Sequence, residues 1–166
     1  LDSPHLRERF ARERRILARL DHPGIARLLD GGVAEDGTPW YAMEFVRGLP
    51  LTAHADVREL DVRARVEMLL QVCDATAHAH AQLVVHRDLK PSNVLVDAQG
   101  RIRVLDFGIA RLLDESADTQ LTGTGVRVFS PAYAAPEQIR GDAAGTAADV
   151  FALGAVLFEL LAARVP

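Results

Sequence analysis

The 166-residue sequence predicts an α+β fold, a small helix-and-hairpin part followed by a mostly helical part. Three observations predict it. Apolar residues recur at helical spacing over 61–82 and again over 146–163. Two short apolar runs, 25–31 and 40–46, flank the turn-like Ala34-Glu35-Asp36-Gly37-Thr38-Pro39, which is the pattern of two hairpin strands. The composition, 49% hydrophobic and 25% charged, is that of one ordinary globular domain and excludes a disordered or collagen-like chain.

Ser3-Pro4 reads as a helix start, a hydroxyl cap followed by proline at the first helical position. Leu6, Phe10, Ile16, Leu17 and Leu20 continue it as an apolar stripe, and Asp21-His22-Pro23-Gly24 stops it. Arg47-Gly48-Leu49-Pro50 reads as a linker after the hairpin. The long helix from Asp61 to Gln82 places Val62, Val66, Leu69, Leu70 and Cys73 on one face. Asp97-Ala98-Gln99-Gly100 is a turn between two further strands. Residues 106–135 have little periodicity, and a loop of that length in a compact domain is usually functional or disordered. Thr146 to Ala163 closes the chain as a buried helix.

The net charge of −4 gives no reason to expect nucleic acid or an anionic membrane as a partner. Cys73 is the only cysteine, so no internal disulfide exists and a reducing compartment fits best. No leader-like head or bilayer-length apolar run is visible, since Val150–Phe158 is short and bracketed by Asp149 and Glu159. The chain lacks an initial Met and stops directly after an apolar helix, so it reads as a segment of something larger. Of its 19 basic residues one is lysine, Lys90.

That lysine lies in His86-Arg87-Asp88-Leu89-Lys90-Pro91-Ser92-Asn93, the strongest motif in the chain. Asp106-Phe107-Gly108 begins 13 residues after Asn93, and Ala135-Pro136-Glu137 ends 31 residues after Asp106. In these strings, their order and their spacing, the chain resembles the protein kinase superfamily, in particular the eukaryotic-like Ser/Thr kinases of bacteria. The resemblance covers nearly the whole chain. It implies a kinase-like two-lobe fold: a partial N-lobe over 1–46 (a helix, two strands and the hinge) and a mostly helical, truncated C-lobe over 47–166. It also implies transfer of the γ-phosphoryl of ATP to Ser/Thr hydroxyls of proteins, with Mg²⁺ as cofactor.

Phosphoryl transfer needs a positioned hydroxyl and neutralised phosphate charge, with little covalent work by the protein. The resemblance makes Asp88 the base that orients the hydroxyl and takes its proton, and Lys90 the charge that meets the γ-phosphate. Asn93 and Asp106 become the oxygen ligands of Mg²⁺. Taken singly, each of these is more readily a capping or turn residue, and it is their occurrence together in the family order that favours the catalytic reading. Glu13 matches the glutamate that pairs with a strand lysine at the phosphates. Neither that lysine nor the Gly-rich loop is in this sequence, so the segment alone is expected to be poorly active. By its residues alone, Glu13 is as readily a surface partner of Arg9 or Arg12.

Met43 matches the residue beside the adenine, and backbone groups of Glu44 and Val46 the hinge that meets its edge. Leu95 would lie beneath the ring and is equally a core residue. Leu17, Leu28, His86 and Phe107 match the hydrophobic spine of active kinases. Asp149 matches the aspartate that holds the catalytic-loop backbone, and is otherwise an early-turn helix acid. Arg87 would receive a phosphate on the activation segment, with Thr119, Thr122 and Thr124 as acceptors. Ser130 stands in Phe129-Ser130-Pro131-Ala132-Tyr133, where Gly-Thr-x-x-Tyr is commoner; its hydroxyl is expected at Asp88 and Lys90. His78 and His80 lie two apart on a helix and point to different faces, so no metal site is expected there.

The expected partners are ATP, protein substrates and a second copy of the domain for autophosphorylation, without nucleic acid or membrane contact by this segment. The expected location is cytoplasmic. Two other readings stay open: a pseudokinase or scaffold module of the same fold, and a small-molecule phosphotransferase.

Overall fold

The computed structural model describes residue 17 and residues 20–34, 38–107 and 130–166. Strands β1 (Leu28–Val33) and β2 (Pro39–Met43) form an antiparallel pair. The register shifts between Leu28 and Asp30, a bulge in which Leu28 faces Met43 and Asp30 faces Ala42. This is the hairpin that the two apolar runs predict. Glu44 extends the pairing by donating its N–H to the Arg27 carbonyl at 2.8 Å.

The segment read as a linker makes regular structure. Strand β3 (Leu49–Pro50) pairs with β4 (Val94–Val96), which pairs with β5 (Ile102–Val104), giving a three-stranded antiparallel sheet. Gly48 permits the approach, because a Cβ there would lie 2.5 Å from the Val96 carbonyl oxygen. Helix α1 (Leu51–Val57) follows at once. It is seven residues long and buries Leu51, His54 and Ala55, too short a stripe to stand out as periodicity.

Helix α2 (Val62–Ala81) starts where the sequence predicts. Asp61 caps it, its carboxylate accepting from the Ala64 N–H at 2.8 Å. The buried face differs from the expected one. Met68, Leu69, Val72, Ala75, Thr76 and Ala79 are buried, whereas Val62 and Leu70 are exposed. This face packs against helix α4 (Thr146–Ala162) and against β5. That helix buries Ala148, Asp149, Ala152, Ala155, Val156 and Leu160. It is not buried all round, since Val150, Phe151, Phe158 and Leu161 are exposed. A short helix α3 (Pro136–Arg140), not foreseen from periodicity, ends at Gly141, whose φ of 86° suits glycine.

One hydrophobic core joins these parts. Leu17, Leu20 and Ile25 share it with Val72 and Ala75 of α2, Val104 of β5 and Val156 of α4. The first part of the chain also docks through its backbone. Ala26 N–H donates to the Val104 carbonyl at 2.9 Å, and Val104 N–H to the Gly24 carbonyl at 2.8 Å.

Arg65 fastens three helices from one guanidinium. It donates to the carbonyls of Leu60 and Leu160, each at 2.9 Å, and to the Asp56 carboxylate at 2.8 Å. The Leu160 carbonyl lies in the last turn of α4, where no intrahelical donor remains. Arg65→Met keeps the apolar stem but strands these acceptors, and is expected to cost about 2 kcal/mol. Asp61→Ala removes one cap and is expected to cost about 1 kcal/mol. Urea denaturation of the two variants should give that order, and equal midpoints would contradict it.

Candidate active site

The site begins where α2 ends. Leu83 adopts a left-handed φ of 61°, donating to the His80 carbonyl, while Val84 donates to that of Ala79. This is a Schellman stop, with leucine where glycine is usual. It turns the chain into the loop carrying the His-Arg-Asp string.

That loop is held from α4. The Asp149 carboxylate, fully buried, accepts from the backbone N–H of His86 and of Arg87, both at 2.8 Å, and from His80 Nε2 at 2.7 Å. Asp149 is thus the loop's anchor rather than a helix-end acid. Arg87 is left-handed at φ 71°, a conformation costly for a residue with a Cβ. His86 is neutral, because burial pushes its pKa down against the pull of Asp149. Its tautomer follows from its partners. Nε2 donates to the Leu105 carbonyl at 2.8 Å, and Nδ1 accepts from the Asp88 N–H at 3.3 Å.

The side chains converge beyond this anchor. Lys90 Nζ lies 2.7 Å from Asp88 Oδ2 and donates to Ser130 Oγ at 2.9 Å. Ser130 N–H donates to Asp88 Oδ1 at 3.3 Å. The Ser130 hydroxyl therefore meets Lys90, and its backbone N–H meets Asp88. Pro91 opens the 3₁₀ turn Pro91–Asn93, which brings Asn93 back to Asp88. Asn93 Nδ2 donates to the Asp88 carbonyl at 2.9 Å and to its carboxylate at 3.3 Å. The Asn93 amide oxygen is left facing away from these bonds.

Asp106 is placed through its neighbour. Leu105 N–H donates to the Asn93 carbonyl at 2.8 Å while its own carbonyl accepts from His86. Asp106 is left-handed, with φ 60°. Burial pushes its carboxyl pKa up; the Asp88 charge adds to the rise, and Lys90 and the Tyr41 hydroxyl oppose it. Two carboxylates, an amide oxygen and an ammonium thus share one electrostatic environment. The oxygen donors, Asp106 and Asn93, are of the class a hard divalent cation takes.

Met43 lines a cleft with Leu17, Leu20, Ile25, Ala26, Leu28 and Phe107. The spine residues come together there, and the His86 and Phe107 rings meet edge-on with centroids 4.8 Å apart. Glu44 is committed on one side: its N–H goes to Arg27, and its carboxylate accepts from the Arg27 N–H at 3.3 Å. Its carbonyl and the backbone groups of Val46 have no partner among the described residues. Leu95 is half-exposed between buried Val94 and Val96, on the opposite face of β4. The Arg87 guanidinium makes no hydrogen bond or ion pair among the described residues. Glu13, Thr119, Thr122 and Thr124 lie outside the described residues.

Two contributors were not foreseen from the sequence. Tyr41, on β2, lies in the field of Asp106, whose charge adds to the upward push of burial on the phenol, and nothing in a strand tyrosine signals that. Gln138 donates to the Arg87 carbonyl at 2.7 Å. Its signal was present: a glutamine two residues after Pro136 fits the reach-back half of a capping box.

Comparison with known proteins agrees with this geometry. The protein kinase domain family matches residues 2–166. The serine/threonine-protein kinase PrkC of Bacillus subtilis is 42% identical over 159 residues, covering 95% of this chain and 24% of the relative. The serine/threonine-protein kinase PknB of Mycobacterium tuberculosis is 36% identical over 163 residues, covering 95% of this chain and 26% of the relative. The chain therefore spans about a quarter of the length of these curated relatives. A match over nearly every residue, joined to one shared α+β core and a loop built around Asp88, means that this chain belongs to the protein kinase domain family.

Proposed function

We propose that this chain forms the catalytic part of a Ser/Thr protein kinase that transfers the γ-phosphoryl group of Mg·ATP to protein hydroxyls. One observation carries the reading: the Asp88 carboxylate lies within reach of Lys90, Asn93 and Ser130 and in the field of Asp106. The names of the relatives support Ser/Thr as the acceptor class.

In the proposed reaction a substrate hydroxyl donates its hydrogen bond to Asp88, which takes the proton as the oxygen attacks phosphorus. The new O–P bond forms while the bond from the γ-phosphorus to the bridging oxygen breaks, and ADP leaves. Lys90, tethered by Ser130, supplies positive charge beside the carboxylate, where the phosphoryl group must pass. Asn93 and Asp106 would hold Mg²⁺, which when bound neutralises phosphate charge. The fit is chemical: the Asn93 amide nitrogen is spent on Asp88, so its oxygen is the ligand atom, and a cation would offset the charge that burial disfavours on Asp106.

The adenine would enter between a first lobe over 1–46 and a second over 47–166. Met43 would lie behind it, Leu95 below it, and the Glu44 carbonyl and Val46 backbone at its edge. The Arg87 guanidinium, without a partner among the described residues, is proposed to receive a phosphate, with Thr119, Thr122 and Thr124 as the acceptors to test. Glu13 is proposed as the partner of a phosphate-binding lysine. The proposed setting is cytoplasmic, with a second kinase copy as the autophosphorylating partner. Among the described residues no helix is long and apolar enough to cross a membrane.

Asp88→Asn in the intact protein should lower kcat on a serine-containing protein by roughly 10²–10⁴-fold, the range of a lost general base, with KM for ATP little changed. Near-native turnover would refute the assignment. Asp106→Asn should abolish turnover yet raise the melting temperature at pH 7 without Mg²⁺. The sign follows from the raised folded-state pKa. The ionised carboxyl costs stability fully above that pKa, and nothing below the unfolded value. Melting curves at neutral and acid pH check this: the gain should disappear on acidification, and a neutral-pH loss would contradict it.

A further inference from the structure

We propose that Gln138 is a positioning residue for phosphoryl transfer: its amide fixes the peptide unit between Arg87 and Asp88, and through it the direction of the base. The inference rests on the kinase reading above and adds a residue outside the three motif strings.

The peptide unit entering Asp88 has one donor and one acceptor. Its N–H donates to His86 Nδ1 at 3.3 Å, a long bond. Its carbonyl, that of Arg87, accepts from Gln138 Nε2 at 2.7 Å. Among the described residues no other group donates to it. The Arg87 conformation at φ 71° is of the kind that persists only where surroundings over-determine it. Asp149 clamps the N–H side of that residue and Gln138 clamps the carbonyl side.

The chemistry requires an amide. Gln138 Oε1 accepts from the Ala135 N–H at 3.0 Å, while Nε2 donates to Arg87. One face must accept and the other must donate, so the orientation of the amide is unambiguous and neither glutamate nor an apolar residue reproduces it. The bond also joins two segments that meet at the base. Residues 130–138 touch the loop twice, Ser130 at the Asp88 carboxylate and Gln138 at the preceding peptide. The same segment is tied to α4 by the Tyr133 phenol, which donates to Glu159. A shift of this segment is therefore transmitted to the base.

The test uses the intact protein with Gln138→Met and Gln138→Glu. The glutamate keeps an acceptor for the Ala135 N–H but turns an oxygen towards the Arg87 carbonyl. Both variants should lower kcat about tenfold, the scale of one lost buried hydrogen bond, with KM for ATP within about twofold. Amide exchange at Arg87 and Asp88 should quicken by about tenfold, with exchange in α2 unchanged. Native kcat and native exchange in both variants would overturn the proposal, as would loss of protection throughout α2, which marks a purely structural role. If the methionine variant does not fold, the glutamate variant decides, because it retains the helix-start bond. A native protein that transfers no phosphate would remove the kinase reading, while the exchange comparison would still decide whether Gln138 holds the loop.

Discussion

A carboxylate with no solvent exposure, Asp149, holds the loop that everything else in the site depends on. Isolated burial of such a charge costs several kcal/mol, and donors must surround it for the fold to tolerate it. Here they do: two backbone N–H groups from the loop and the imidazole of His80. His80 belongs to α2 and Asp149 to α4, so the bond set joins the two longest helices to the loop between them. The left-handed Arg87 is held by that set, and Asp88 follows from Arg87. His86 passes the same order to Leu105, which sets Asp106.

This arrangement spends stability on placement. Arg87 and Asp106 both sit in a backbone region that L residues avoid. Burial disfavours the charge on Asp106, and the neighbouring Asp88 charge adds to this. Arg87 persists in its left-handed conformation because it is bonded on both sides, its N–H to Asp149 and its carbonyl to Gln138. The single lysine of the chain offsets part of the charge, lying 2.7 Å from Asp88.

The two sheets serve the same end by different means. The β3–β4–β5 sheet carries Leu95 on its half-exposed face and delivers the chain into Leu105 and Asp106. The β1–β2 pair reaches it through Gly24 and Ala26, which bond to Val104, and through the shared core around Ile25. Glu44 is pinned to Arg27 by its N–H and its carboxylate, directly after Met43 at the cleft.

Residue type and spacing alone determined the long helix, the two strand pairs, and the order of Asp88, Lys90, Asn93 and Asp106. These are local statements, because a period or a motif is written in neighbouring residues. The buried face of α2 was misjudged for a physical reason. Hydrophobicity favoured Val62 and Leu70, but the tertiary partners cover Ala75, Thr76 and Ala79 instead, and which face is covered is decided by those partners. Tyr41 lying in the field of Asp106, Gln138 reaching Arg87 and His80 bonding Asp149 were decided only in three dimensions. Each joins residues tens of positions apart, and long-range hydrogen bonds leave no periodicity in the chain that makes them.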